Sequence, residues 1–283
     1  MNNILSRGEN NDQVNGQAED QNWESLLRPS EFEDYIGQDS IKSSLRIILN
    51  AAIKRKEVVD HILFYGQAGL GKTTLAHIVA NEMGGHLKVT SGPAIEKTGD
   101  LAAILTNLEP KDILFIDEIH RLNRMIEEVL YPAMESRSLN IVLGKGPSAR
   151  TISLDLPPFT LVAATTRVNL ISGPLRSRFG ATFRLDYYNL EDISEIIRRS
   201  AGILGIKIEP EAVDILARAS RFTPRTANRL LKRARDIIEV KNIPSITKES
   251  LAELFKILDL DDIGLEYQDR RLLKIIADHF NAG

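Results

Sequence analysis

The hydrophobic pattern of the chain changes near residue 189. Before that point, short uninterrupted apolar runs alternate with stretches in which apolar residues recur every three or four positions. The short runs predict buried parallel strands, and the stretches between them predict amphipathic helices. After that point only the helical period continues. The pattern therefore predicts a parallel α/β sheet domain followed by a small all-helical domain.

The boundaries of the predicted elements follow from the same pattern. Strands are expected over 61–65, 87–89, 113–116, 159–164 and 181–187. In the first domain, helices are expected over 41–53, 99–108 and 123–134, and another begins close behind residue 73. In the second domain, helices are expected over 193–204, 210–219, 225–240 and 248–258, and a last one begins near 269. Thr223 and Pro224 predict a helix start with the threonine as N-cap.

These elements predict four segments. Residues 1–22 are rich in Asn, Gln, Asp, Glu and Gly and nearly lack apolar residues, so they are expected to be a disordered leader. The sheet domain is expected over 23–188 and the helical domain over 189–262. Residues 263–283 are expected to begin a further unit.

Composition narrows the possible chemistry. The chain has no cysteine, which excludes disulfides, thiolate catalysis and cysteine zinc sites, and its five histidines show no metal-ligand spacing. The net charge of −3 gives no overall basic field, so any nucleic-acid contact must be local or supplied by a partner. No apolar run approaches the ~18 residues of a membrane span, and no signal peptide opens the chain. A cytoplasmic protein without a membrane contact is expected.

A phosphate-binding motif joins the first predicted strand to the helix that follows it. Residues 66–73 read Gly-Gln-Ala-Gly-Leu-Gly-Lys-Thr and fit G-x-x-x-x-G-K-[ST]. Free backbone N–H groups and the helix dipole favour a phosphate at such a junction. Gly69 and Gly71 let the loop curl around an anion, Lys72 reaches the β- and γ-phosphates, and Thr73 ligates Mg²⁺. The alternative, a glycine-rich turn beside a chance lysine, does not account for the flanking strand and helix.

Two carboxylates follow the predicted strand over 113–116. In a phosphate-loop ATPase, Asp117 would lie in the Mg²⁺ shell and Glu118 would polarise the attacking water. An apolar strand that ends in acids often means only that the strand reaches solvent. Its position about 45 residues after a phosphate loop favours the catalytic interpretation, with ATP and Mg²⁺ as ligands.

A hairpin is predicted on either side of residues 144–147. The strands 139–143 and 151–154 alternate apolar and polar residues around Gly-Lys-Gly-Pro. Its apolar residues would lie on one face. Two interpretations stay open: an ordinary hairpin on its own core, or a protruding contact surface. The residues of that face are Ile141, Leu143, Ile152 and Leu154.

Longer motifs carry a family resemblance. From about Leu26 to the end, the chain closely resembles the RuvB family of AAA+ motors, which drive branch migration of Holliday junctions together with RuvA. The stretches that carry it are Leu27-Arg28-Pro29, Gly69 to Ala76, Thr90 to Pro93, Thr106 to Pro110, Leu114 to Leu122, Glu127 to Glu135, Leu156 to Leu161 and Thr223-Pro224-Arg225.

The resemblance implies a role for each matching residue. Leu27 and Arg28 would lie against the adenine, and Tyr188 would close that pocket from the lid side. Gly69, Lys72, Thr73 and Thr74 would hold the phosphates, with Thr166 as the sensor at the γ-phosphate and Arg225 as the second sensor on the lid. Arg178 would act in trans as the finger in the next subunit's site, and Glu135, Ser136 and Arg137 would approach that nucleotide. For Arg178, a surface ion pair is the alternative, and Arg176 competes for the role.

The resemblance also implies partners. The family assembles homo-oligomeric rings, expected here to be hexamers, for DNA recombination and repair. RuvA would dock on the hairpin 139–156 and supply most of the Holliday junction contact, and RuvC is a further possible partner.

The chain departs from the family's pattern at two places. Gln67 and Ala68 stand where the family has two prolines, which would make the loop less stiff. The family's winged-helix domain is expected to be truncated here, since residues 263–283 look like its first helix only, and this puts direct DNA contact in doubt for this chain. Two alternative functions stay open: a clamp-loader type of AAA+ ATPase, and a non-hydrolysing scaffold in which ATP is only a switch.

Overall fold

The computed structural model describes residues 23–143 and 150–280. The strands are β1 (Ile62–Tyr65), β2 (Leu87–Ser91), β3 (Ile113–Asp117), β4 (Ser138–Leu143), β5 (Arg150–Asp155), β6 (Thr160–Thr165) and β7 (Ala181–Arg184). The helices before residue 189 are α1 (Asp39–Arg55), α2 (Lys72–Met83), α3 (Thr98–Thr106), α4 (Arg124–Glu135) and the short α5 (Gly173–Arg176). Those after it are α6 (Leu190–Ile203), α7 (Pro210–Ala219), α8 (Pro224–Lys241), α9 (Lys248–Ile257) and α10 (Tyr267–Phe280). Residues 23–27 are also helical.

The central sheet is parallel, with strand order β2-β3-β6-β1-β7. Its inner strands are buried on both faces, which explains their uninterrupted apolar runs. In β1, Ile62 and Phe64 belong to one buried cluster, whereas Leu63 belongs to the other, on the opposite face. The predicted α/β fold class is confirmed.

Register brings the carboxyl ends of the inner strands to one edge. Tyr65 pairs with Thr165, and Ser91 pairs with Asp117. The residues that follow β1, β3 and β6 therefore meet at this edge, where ligands bind in open parallel sheets. This register positions the phosphate loop beside the acidic end of β3.

The helical domain packs against the sheet domain through a shared core. One buried apolar cluster continues from α1, α2 and β1 into α6, α7, α8 and α9. Backbone hydrogen bonds also cross between the two parts: Tyr188 N donates to the Phe222 carbonyl at 3.1 Å, and Arg225 N donates to the Gly69 carbonyl at 3.4 Å. The lid therefore contacts the phosphate loop directly.

One predicted element end differs from the structure, and one helix start agrees with it. Strand β7 ends at Arg184, three residues before the predicted end, and Tyr188 already bonds to the lid. The predicted start of α8 is confirmed, with Thr223 at the N-cap position before Pro224, although the Thr223 side chain accepts no capping bond. Its Oγ1 lies 2.8 Å from Thr226 Oγ1 and 3.2 Å from the Ser220 carbonyl oxygen.

Strands β4 and β5 form a separate antiparallel hairpin, with Ile141 opposite Ile152. At its base Leu139 is buried in the core, whereas Ile152 and Leu154 are 43% and 38% exposed. The predicted turn at 144–147 and the side chains of Ile141 and Leu143 lie outside the described residues. So do the predicted leader over 1–22 and the last residues, 281–283. Among the described helices, none is long and apolar enough to cross a membrane.

Candidate nucleotide-binding site

A cavity of about 1310 Å³ lies between the phosphate loop, the end of β3, the segment around residues 23–29 and the lid. Most of the residues predicted to bind nucleotide contribute to its wall. They are Leu27, Arg28, Gly69, Gly71, Lys72, Thr73, Thr74, Asp117, Glu118, Tyr188 and Arg225.

The phosphate loop uses glycine where no other residue fits. Gly69 and Gly71 have φ values of 81° and 97°, in the left-handed region. A Cβ on Gly71 would lie 2.6 Å from the Tyr35 hydroxyl, and one on Gly69 would lie 3.0 Å from Arg225 Cβ. Gly71 is also the N-cap of α2 and provides no side-chain cap. The first N–H groups of α2 therefore face the cavity as an anion-binding end.

Lys72 spans the loop from the first turn of α2. Its Nζ donates to the Gly66 carbonyl at 2.9 Å and to the Gln67 carbonyl at 2.7 Å. Burial lowers the pKa of Lys72, and the nearby Asp117 and Glu118 oppose that shift. The ammonium thus lies between the loop and the two carboxylates, where a phosphate oxygen would make stronger charge-assisted bonds than the carbonyls do.

The carboxylates at the end of β3 are held in different ways. Asp117 Oδ1 accepts the Glu118 N–H at 2.9 Å. Glu118 has φ 48°, a strained value for a non-glycine residue, and strain of this kind is frequent at functional sites. The Glu118 carboxylate accepts from Thr166 Oγ1 at 3.1 Å and lies 3.0 Å from His120 Nδ1. The structure therefore brings the predicted sensor Thr166 into direct contact with the predicted base.

The contact from His120 was not anticipated from the sequence. Its Nδ1 also lies 2.9 Å from the Thr165 hydroxyl, at the end of β6. The sequence feature that could have indicated this contact is the position of His120, two residues after Glu118 in the same motif.

The residues expected around the adenine, Leu27, Arg28 and Tyr188, also line the cavity. Leu27 is buried, and the Arg28 guanidinium lies 2.6 Å from His77 Nε2. Burial and then the charge of Arg28 lower the pKa of His77, so the neutral ring is the acceptor. Tyr188 donates to the Tyr35 hydroxyl at 3.0 Å, and burial chiefly raises the pKa of Tyr188 to about 12.

Arg225 enters the cavity from the start of α8. Its Nε lies 3.1 Å from Glu24 Oε1, and its NH2 donates to Glu24 Oε2 at 3.4 Å. The side chain is 64% exposed, so this ion pair is weak and leaves the guanidinium available to a phosphate.

Five predicted site residues do not line this cavity: Thr166, which contacts Glu118, and four residues in and around the end of α4. Arg178 NH2 lies 3.0 Å from Glu135 Oε1, and the guanidinium covers the Tyr131 ring at 4.3 Å. Ser136 Oγ donates to the Pro132 carbonyl, and Arg137 adopts a left-handed backbone with φ 53°. None of Glu135, Ser136, Arg137 and Arg178 lines the cavity. The chain therefore has two charged regions, a cavity and a separate arginine-bearing surface.

The donors at the cavity fit Mg²⁺-ATP. No cluster of three or more His, Cys, Asp or Glu side chains able to hold a metal occurs in the part of the chain that the structure describes. Mg²⁺ does not need one, because it keeps several waters and takes substrate phosphates with one or two protein oxygens. The Thr73 hydroxyl and the Asp117 carboxylate, both on the cavity wall, are donors of that kind.

Comparison with known proteins agrees with this layout. Residues 27–185 match the family described as the Holliday junction DNA helicase RuvB P-loop domain, and residues 188–261 match the RuvB AAA lid domain. Over 270 residues the chain is 55% identical to the Holliday junction branch migration complex subunit RuvB of Clostridium kluyveri, covering 95% of this chain and 76% of that protein.

Solved structures give the same result. The Thermotoga maritima RuvB Holliday junction branch migration motor is 46% identical, with a TM-score of 0.82 over 91% of this chain and 82% of that chain. A single-residue mutant of the same protein is also 46% identical, with a TM-score of 0.83 over 91% of this chain and 81% of that chain. The chain therefore belongs to the RuvB family of P-loop AAA+ ATPases.

Proposed function

We propose that this chain is the motor subunit of a ring that hydrolyses Mg²⁺-ATP to drive branch migration of Holliday junctions in recombination and repair. The observation that carries the proposal is the single edge of the sheet where the phosphate loop, Asp117 and the Thr166–Glu118 pair meet. Such an edge serves phosphoryl transfer by positioning and electrostatics. Family membership favours this function over a clamp-loader role.

Each cavity residue has one task in this proposal. Thr73 and Asp117 would hold Mg²⁺, which neutralises charge on the β- and γ-phosphates when it is bound. Lys72 and the N–H groups of Gly69, Gly71 and Thr74 would bind the phosphate oxygens. Glu118 would orient the attacking water, and Thr166 would report the γ-phosphate to Glu118 through their shared hydrogen bond.

The adenine and the lid would be linked through the same cavity. Leu27, Arg28 and Tyr188 would enclose the base, and Arg225 would bind phosphate from the lid side. Because the Arg225 N–H already bonds to the Gly69 carbonyl, closure on a phosphate would pull α8 together with the loop. Lid movement coupled to the nucleotide is what a motor needs.

The arginine-bearing surface would complete the site of a neighbouring subunit. Arg178 does not line its own cavity but contacts Tyr131 and Glu135, and Ser136 and Arg137 follow Glu135 directly in the chain. An arginine supplied in trans stabilises charge on the transferring phosphoryl group and makes hydrolysis depend on assembly. A hexameric ring is the expected arrangement.

The hairpin would dock RuvA. Its outer residues Ile152 and Leu154 are exposed, while its base is anchored in the core by Leu139. With a net charge of −3 on this chain, RuvA would supply most of the junction contact. RuvC association and a cytoplasmic location are part of the same proposal.

The test is hydrolysis and branch migration on one preparation. We expect Mg²⁺-dependent ATP turnover that rises when RuvA and a four-way DNA junction are added, together with movement of the branch point. ATP binding without turnover under all of these conditions would favour the scaffold alternative and overturn the proposal. Turnover without branch-point movement would leave an ATPase with a different task.

A further inference from the structure

Three contacts of different kinds, with Tyr131, Glu135 and Pro174, hold the Arg178 guanidinium, and we call them together the Arg178 seat. The guanidinium carbon lies 4.3 Å from the centre of the Tyr131 ring, within the range of a cation–π contact. NH2 lies 3.0 Å from Glu135 Oε1, and NH1 donates to the Pro174 carbonyl at 2.5 Å. Arg178 Nε is buried and has no hydrogen-bond partner among the described residues.

The Tyr131 ring is itself held in place by a buried carboxylate. Its hydroxyl donates to Glu127 Oε2 at 2.9 Å and lies 3.1 Å from Ser172 Oγ. Ser172 Oγ also donates to Glu127 Oε2 at 2.6 Å and accepts the Leu175 N–H at 3.2 Å. Burial raises the pKa of the Tyr131 phenol, so the hydroxyl remains a donor.

Glu127 is an ionisable residue at a buried position. It is 6% exposed, and no cation in residues 23–143 or 150–280 forms a salt bridge with it. A buried carboxylate without a cation is costly unless its hydrogen bonds are satisfied. Here the satisfied bonds connect α4, through Tyr131, to Ser172, which is the N-cap of α5. Helix α5 ends at Arg176, two residues before Arg178. The network therefore fixes the ring relative to the backbone that carries the arginine.

The contact with the Tyr131 ring leaves the N–H donors of Arg178 available to a phosphate. A guanidinium that lies on a ring uses its flat face and keeps its N–H donors in the plane, where they match a phosphate. The bond to Glu135, by contrast, uses one of those donors. Turning the Nη2 donor to a neighbour's phosphate would break the Glu135 contact, whereas the Tyr131 contact can be kept.

We propose that Tyr131 is the positioning residue of Arg178, and that its ring holds the guanidinium flat so that the N–H donors can turn from Glu135 to the phosphate of the adjacent subunit. This inference rests on the proposed role of Arg178 in trans. Tyr131 touches neither substrate nor reacting atoms in this proposal.

The first experiment compares Tyr131→Leu with Tyr131→Phe in ATP turnover. Tyr131→Leu removes the π face and should lower kcat by roughly 2- to 30-fold, the range that corresponds to a cation–π contact, with KM unchanged. Tyr131→Phe keeps the face but loses the bond to Glu127, so it should retain more of kcat than Tyr131→Leu does. Equal losses in the two variants would overturn the proposal.

The second experiment keeps the shape of the ring constant. Phenylalanine analogues with increasing ring fluorination at position 131 weaken the negative face with little change in size. We expect kcat to fall along the series while the melting temperature stays constant. A flat series would show that the ring only fills space, and would overturn the proposal even if Tyr131→Leu folds poorly.

The third experiment asks in which subunit the defect acts. A Tyr131→Leu subunit should regain turnover when it is mixed with Lys72→Ala subunits, because these carry an intact Tyr131 and Arg178 for their neighbours. Arg178→Ala mixed in the same way is the matched control. Recovery of Arg178→Ala but not of Tyr131→Leu would overturn the inference and leave the trans role intact. If neither recovers in rings that demonstrably mix, both fail.

Discussion

The nucleotide cavity and the Arg178 seat are built by different means. In the cavity, Gly69, Lys72, Asp117 and Glu118 stand at the carboxyl ends of parallel strands, so backbone register determines where they lie. At the seat, Arg178 is held by side chains from α4 and by the turn that contains α5. The groups proposed to bind the nucleotide therefore line one cavity, whereas the arginine proposed to speed hydrolysis lies outside it.

One residue connects the two regions. His61 precedes β1, the strand that leads to the phosphate loop, and its Nε2 lies 3.1 Å from the Met134 carbonyl near the end of α4. Its Nδ1 accepts the Leu161 N–H at 2.9 Å. The ring therefore ties the end of α4, next to Glu135, to the central sheet.

Within the cavity, the largest expected effect comes from a change at Glu118. Glu118→Gln should leave ATP binding nearly intact and lower turnover by ~10²–10⁴, because the attacking water loses its general base. Nucleotide affinity and single-turnover hydrolysis measure the two quantities separately. The amide can still accept the Thr166 hydroxyl bond, so the cavity should keep its shape. Parallel losses of binding and turnover would mean that Glu118 has a structural role.

A smaller effect is expected at the hairpin, which belongs to neither region. Ile152→Ala with Leu154→Ala should weaken RuvA binding by about 1–3 kcal/mol for each residue at the centre of the contact, with no change in melting temperature. The matched control is Leu139→Ala in the same hairpin, which removes a buried side chain and should destabilise the fold by about 2–5 kcal/mol. Normal RuvA binding by the double variant would show that these two residues do not form the docking surface and that the hairpin has only a structural role.

The smallest effect concerns the link between the regions. Burial lowers the pKa of His61 from its ordinary value of 6.5, the Met134 bond opposes that shift, and the Leu161 N–H requires a neutral ring. Because the folded state binds fewer protons than the unfolded state, the stabilisation is complete above pH 6.5 and is lost as the pH falls through the lowered pKa. His61→Gln cannot titrate, so its unfolding free energy should depend less on pH below 6.5, by at most ~1.4 kcal/mol per pH unit. Identical pH profiles from denaturant unfolding would contradict this assignment.

The two regions also differ in how far the sequence predicted them. The phosphate loop and the acids after β3 are contiguous motifs whose spacing specifies their geometry, so they could be placed from the sequence alone. The contacts of Arg178 with Tyr131, and of Ser172 with Glu127, join residues more than 40 positions apart through side-chain packing. Periodicity identifies Tyr131 only as a helix residue. The same limit applies to Thr223, whose N-cap position could be predicted but whose hydroxyl contacts with Ser220 and Thr226 could not.

In the proposed ring, a complete hydrolytic site needs two subunits. The most direct test mixes Arg178→Ala with Lys72→Ala, since the first lacks the donated arginine and the second lacks its own phosphate lysine. Each variant alone should be almost inactive, with Arg178→Ala lower in kcat by ~10³–10⁵ but normal in ATP affinity. We predict that the mixture recovers turnover, because an Arg178→Ala site can receive the arginine of a Lys72→Ala neighbour. No recovery in rings shown to contain both variants would contradict the claim.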